Sequence, residues 1–276
     1  MGVTASEVNE LRLKTGAGLM DCKKALTETS GDMEAAIDLL RKKGAKVSAM
    51  RAGKEAPEGV VIAKTSADKK NGVVIKLSSE TDFVAKNADF VSFANQIADL
   101  AIENLPADLE ALKALPLDGT TVGEKVTELV GKINENISLT NYEKLEGEAI
   151  VAYNHMGNKI GVLVKLTKPA NEAIESIGRD VAMQVAAMAP VAVDRSKVDS
   201  TILERELEIG KDQARAEGKP ENMVEKIAQG KLERFFKDNT LVAQQFVKDA
   251  SKTVEQVLKD VDKELAVVDF KRVALG

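Results

Sequence analysis

The chain has 276 residues, 44% of them apolar and 30% charged, a balance that excludes general disorder and leaves room for about two domains with an appendage. Its 39 Lys and Arg against 44 Asp and Glu give a formal net charge of -5, which lacks the global positive field of many nucleic-acid binders and disfavours nucleic acid as a direct partner. The one cysteine, Cys22, cannot form an intrachain disulfide, and its neighbours Asp21, Lys23 and Lys24 supply no metal-ligand cluster. No uninterrupted apolar run reaches the roughly 18 residues that suggest a membrane span, and the start lacks a secretory h-region. Gly2 and Ser6 match a myristoylation pattern, which is short and is set aside. The expectation is a cytoplasmic protein with no metal, cofactor or membrane partner.

Residues 1 to about 45 predict three short helices. Thr4-Ala5-Ser6-Glu7 fits a capping box ahead of Val8 and Leu11, and Gly16 ends the first helix. The second runs from about Leu19 to Thr29, with Cys22 at a core position. The third runs from Asp32 through Met33, Ile37 and Leu40 to Gly44, where a left-handed cap is expected. Between Arg41 and Lys54 six cations occur without an acid, which reads as a solvated helix end and linker.

After Gly59 the period changes. Val60–Ala63 and Gly72–Leu77 are β-branched runs separated by the turn-forming 67–71, predicting a β-hairpin. Phe90, Phe93, Ile97, Leu100 and Ala101 then mark one face of a helix. The same order returns about 89 residues later: Gly72–Ser78 corresponds to Gly161–Thr167, preceded by the strand Ala149–Tyr153 and the turn Asn154–Lys159, and followed by a helix with Ile174, Ile177, Val181 and Val185. The expected fold is therefore α+β, with a duplicated core of antiparallel sheets. Val122–Ile133 reads as a helix between the halves.

A helical hairpin interrupts the second half at about 195–237, breaking at Gly218-Lys219-Pro220. Such a highly charged pair either protrudes and associates with another chain or folds against its own domain. The domain expectation is 1–54 for the helices and basic linker, 55–140 for the first half of the core, and 141–276 for the second with its insertion.

Conventional catalysis has little material here. The single histidine, His155, falls in the turn between two strands, where a plain polar turn residue is the favoured reading over a displayed contact. Nucleophile-elbow, Walker A and dinucleotide motifs are absent, and the carboxylates are interspersed with Lys and Arg on helix surfaces. Glu80-Thr81-Asp82-Phe83-Val84-Ala85-Lys86-Asn87 breaks the polar pattern. Its counterpart Lys168–Glu172 has no aromatic residue, so Phe83 is extra to the shared architecture, either tucked into the local core or exposed as an apolar probe beside an acid.

Four segments, in order, resemble the elongation factor Ts family: Thr15–Leu26, Thr81–Asn87, His155 with Ile160–Val164, and Gly218-Lys219-Pro220. The resemblance implies a ubiquitin-associated-like N-terminal domain, a two-part core and a coiled-coil excursion. It also implies a guanine nucleotide exchange factor for elongation factor Tu, without covalent chemistry, metal or cofactor. The residue matching Phe83 enters an apolar pocket of the GTPase, and that matching Asp82 disturbs its magnesium environment, within the exchange loop Thr81, Asp82, Phe83 and Val84. Leu19, Met20 and Lys23 touch the nucleotide-binding domain by the same matching, while Ile133 and His155 make core contacts. The family often has Gly where this chain has Asn134, and some members continue into a further helical module beyond the position of Gly276. A homodimer through the hairpin or a two-to-two complex is the assembly expectation. A non-catalytic ubiquitin-binding adaptor is the alternative, motivated by the three N-terminal helices, and a hydrolase with dispersed carboxylates ranks with it below exchange.

Overall fold

The computed structural model describes residues 2–276, which divide into two compact units. The first comprises residues up to Ile62, Ile75–Glu143 and Ala274–Gly276, and the second Ala63–Val74 and Lys144–Val273.

Helices α1 (Ala5–Thr15), α2 (Leu19–Glu28) and α3 (Met33–Arg51) open the first unit. The capping box forms as read: the Thr4 amide donates to the Glu7 carboxylate at 2.7 Å, and the Glu7 amide donates to Thr4 Oγ1 at 3.3 Å. Gly16, at φ 64°, closes α1 in the left-handed region. Val8, Leu11, Cys22, Ala25, Leu26 and Ala36 bury a small common core, in which Cys22 acts as an apolar side chain. The third helix departs from expectation. It does not end at Gly44 but continues to Arg51, with Gly44 buried mid-helix. Its backbone instead meets Gly131 of a later helix, where a methyl on Gly131 would lie 2.6 Å from the Gly44 Cα.

Strands β1 (Glu58–Thr65) and β2 (Asn71–Ser79) form the first hairpin. After it come α4 (Asp82–Ala85), α5 (Ala88–Asn104), α6 (Leu109–Ala114), the short pair β3 (Pro116–Leu117) and β4 (Thr120–Thr121), and α7 (Val122–Ile133). Phe90, Ala94, Ile97, Ala98 and Ala101 form the buried stripe of α5, leaving Phe93 and Leu100 at its margins. Strand β5 (Ser138–Glu146) joins β2 on the side away from β1, giving the sheet order β1-β2-β5.

The second copy begins with β6 (Ala149–His155) and β7 (Ile160–Leu166), antiparallel from Ala149 opposite Leu166 to His155 opposite Ile160. Helix α8 (Glu172–Met188) packs on both strands, and Gly178 makes the approach close: a methyl there would lie 2.6 Å from Val151 Cγ2. The hairpin helices α9 (Ser200–Ala216) and α10 (Glu221–Asn239) follow. Gly218, at φ 71°, makes their turn, and Gly210, Ala214, Val224 and Ala228 line a narrow buried seam between them. At the base of the hairpin, Ala192, Val198 and Phe236 pack together, with the Arg195 guanidinium 4.4 Å from the Phe236 ring centre.

The chain returns through β8 (Gln245–Phe246), β9 (Asp249–Thr253), α11 (Val254–Val261) and β10 (Val267–Ala274), and β10 completes a second sheet of order β10-β7-β6. Buried Gln184 is fully engaged here, donating to Gln244 Oε1 and the Gln245 carbonyl at 3.1 Å and accepting from the Val247 amide at 2.8 Å. The fold is α+β, as the alternation of strand and helix patterns required.

Candidate functional site

The segment after β2 turns sharply into α4, a single helical turn. Thr81 is its N-cap, with Oγ1 accepting from the Val84 amide at 3.5 Å, and the helix stops at Lys86. Ala85 is the buried side chain of this turn, whereas Phe83 is 84% exposed. Of the two readings of Phe83, the exposed probe is therefore the one realised in the free chain. Asp82 lies beside it and accepts from Lys86 Nζ at 2.6 Å, an i,i+4 pair in which the Asp82 carboxylate holds the Lys86 ammonium above its ordinary range. Val84 is half-buried, which leaves Phe83 as the apolar group presented outward.

The loop is anchored from behind by the segment that follows α7. Glu135 accepts from the Thr81 amide at 3.1 Å and from Thr81 Oγ1 at 2.7 Å, while Glu80 accepts from the Asn136 amide at 2.6 Å. Each carboxylate thus takes the backbone N–H of the residue following the other glutamate. Arg51 Nη1 lies 3.4 and 3.5 Å from the two Glu80 oxygens, and Asn136 Nδ2 donates to the Lys54 carbonyl at 2.6 Å. None of Arg51, Glu80, Glu135 and Asn136 was among the sequence candidates. No local spacing pairs Thr81 with Glu135, because the two lie 54 residues apart.

Ile133, the last residue of α7, is half-buried immediately before this anchor. Asn134 follows at φ 62°, ψ 33°, the left-handed conformation for which glycine is best suited, and its amide donates to the Val130 carbonyl at 2.8 Å. The structure accordingly places Thr81–Val84 and the Ile133 segment together within the first unit.

Leu19 and Met20, 54% and 73% exposed, open α2 in the same unit, with Lys23 exposed one turn on. Gly18 caps α2 without a side-chain hydrogen bond, and the core side of the helix is taken by Cys22, Ala25 and Leu26, so its first turn faces outward. His155 belongs to the second unit. It is not in the turn, as expected, but is the last residue of β6, paired with Ile160. The turn is built from Met156, Gly157 and Asn158, all at positive φ, and the ladder closes just before them. Its Nδ1 lies 2.8 Å from the Tyr153 hydroxyl, and the neighbouring Met156 is exposed.

Among the described residues no group of three or more His, Cys, Asp or Glu is arranged to hold a metal ion, and no helix is long and apolar enough to cross a membrane. The class these features define is an α+β protein that displays an aromatic side chain from a braced helical turn.

Comparison with known proteins names the family. The family model described as elongation factor TS matches residues 80–276. The chain is 52% identical to elongation factor Ts of Amoebophilus asiaticus (strain 5a2) over 276 residues, covering 100% of both chains. It is 54% identical to that of Cytophaga hutchinsonii over 274 residues, covering 99% of both, and 45% identical to that of Porphyromonas gingivalis over 278 residues, covering 100% of this chain and 99% of the relative. The chain belongs to the elongation factor Ts family, and is a nucleotide exchange factor of translation elongation for elongation factor Tu, not an enzyme.

Proposed function

We propose that the chain releases GDP from elongation factor Tu by inserting α4, with Phe83 entering an apolar pocket of the GTPase and Asp82 disturbing the magnesium environment beside the phosphates. The observation that carries this reading is the 84% exposure of an aromatic ring on a capped helical turn. If the factor binds the vacated GTPase more tightly than the GDP form, linkage requires GDP to bind less tightly in its presence. Burying one Phe is worth about 1.5–3 kcal/mol, and about 1.4 kcal/mol is tenfold in affinity, so Phe83 supplies roughly one or two decades of the coupling. Disturbing magnesium removes positive charge that holds an anion in place. Leu19, Met20 and Lys23 dock the N-terminal helices on the nucleotide-binding domain in this proposal, and Ile133 and His155 add core contacts.

Stopped-flow release of labelled GDP tests it. Phe83→Ala is expected to slow release by about tenfold or more at fixed factor concentration, with Asp82→Ala smaller or distinct. Unchanged release in both variants would remove α4 from the mechanism. Because Phe83 is exposed, its truncation leaves the unfolding transition in place.

Assembly through the hairpin, as a homodimer or a two-to-two complex, is the further part of the proposal. It is supported by the outward placement of Ile209 and Met223, and is read by sizing the factor alone and with its partner. A cytoplasmic location is part of the same proposal, since the proposed partner is a translation GTPase.

A further inference from the structure

We propose that Glu80 and Glu135 are positioning residues that hold α4 in its displayed conformation before the partner arrives, an inference that rests on reading Phe83 as the inserted group. Helix α4 has four residues, and an isolated helix so short is not stable in water, because nucleation fixes several residues for one hydrogen bond. Something outside the turn must hold it.

The reciprocal clasp does so with unusual economy of parts. A threonine hydroxyl has one hydrogen and two lone pairs. By taking that hydrogen at 2.7 Å, Glu135 leaves Thr81 Oγ1 as an acceptor for the Val84 amide, the bond that caps α4. Glu135 also satisfies the Thr81 amide, which α4 leaves without a helical partner. Glu80 returns the same service to Asn136, and Arg51 offsets the charge of one of these two acids. Ser79 Oγ donates to the Thr81 carbonyl at 3.0 Å, so Thr81 is held at its amide, its hydroxyl and its carbonyl.

The consequence is energetic. A loop that must order on encounter subtracts that entropy from binding, whereas a clasped one has lost it in folding. The clasp also ties the segment after Ile133 to the segment bearing Phe83, so both proposed contacts are presented as one surface.

The test uses the full chain and its partner. In the free factor, Glu135→Ala is expected to raise amide hydrogen exchange across residues 81–86 about tenfold, with α5 and α7 protected as before. In GDP release, the factor concentration giving half-maximal rate rises about tenfold while the maximal rate stays within about twofold, because the inserted ring is unchanged once bound. Thr81→Val, which keeps the amide bond but loses the hydroxyl, is expected to lie between, and Thr81→Ser to restore both readouts. Wild-type exchange across residues 81–86 in both Glu135→Ala and Thr81→Val overturns the clasp. So does an unaltered half-maximal concentration when Phe83→Ala slows release. If Phe83→Ala is itself without effect, the insertion mechanism fails, and the exchange of the free chain still decides whether the clasp holds the loop.

Discussion

Gly44 in α3 and Gly131 in α7 meet backbone to backbone: a methyl built on Gly131 would sit 2.6 Å from the Gly44 Cα. The contact is not symmetrical. A methyl on Gly44 would meet the Thr127 carbonyl at 3.6 Å and the Gly131 Cα at 3.8 Å, which are ordinary van der Waals distances. Both residues lie inside helices, where Gly costs about 1 kcal/mol relative to Ala.

Gly44→Ala is therefore expected to stabilise slightly, by up to about 1 kcal/mol, and Gly131→Ala to destabilise by about 1–3 kcal/mol as the helices are forced apart. Urea unfolding of the two variants checks this. Equal effects at the two positions would show that the helices do not cross as closely as the backbone requires.

Asn134 offers a second backbone test. It ends α7 in the left-handed region, between Ile133 and the clasp residue Glu135. Asn134→Gly is expected to leave stability within a few tenths of a kcal/mol, whereas Asn134→Val should cost about 1–2 kcal/mol. Thermal unfolding reads the cost, and amide exchange at Thr81 reads whether the clasp shifts with it. A neutral Asn134→Val would mean that this turn is not confined to positive φ.

The hairpin predicts a pH dependence of its own. Glu208, Glu217 and Glu221 are held below their ordinary value of 4.5 by hydrogen bonds from Lys211, Lys231 and Arg215 respectively. Their contribution is present above that ordinary value and is lost as pH falls through the lowered folded-state values. Lys211 is held above 10.5 by Glu208 and then Glu225, so its share is complete below 10.5 and is lost as pH rises through the raised value. The three glutamates are exposed, so the effect of acid is local fraying rather than global unfolding. Carbon chemical shifts of α9 and α10 should lose helical character as pH falls below 4.5, before those of α8 do, and earlier at high salt. Simultaneous loss in all three helices would refute the hairpin's separate acid sensitivity.

Much of the architecture was legible because it is written in short-range chemistry. The Thr4-Glu7 capping box, the left-handed Gly16 and the turn at Gly218 act within a single turn of chain, so residue type alone identifies them. The strand-turn-strand-helix repeat was readable for a related reason, since β-branched runs and apolar periodicity belong to each segment by itself.

Other features were decided only when distant segments met. Gly44 satisfied the rule for a helix cap, yet the chain stays helical to Arg51, with the Gly44 backbone set against Gly131 of α7. Phe83 was open between core and solvent until the fold left it outside, and no spacing rule pairs Thr81 with Glu135 or Glu80 with Asn136. Sequence by itself determined the three N-terminal helices, the caps at Thr4 and Gly16, the duplicated strand-turn-strand-helix order and the turn at Gly218, since those depend on neighbours within a turn or a strand. Tertiary structure decided which glycine allows a helix crossing, which third strand completes each sheet and what braces the loop bearing Phe83, because each depends on surfaces that only folding brings into contact.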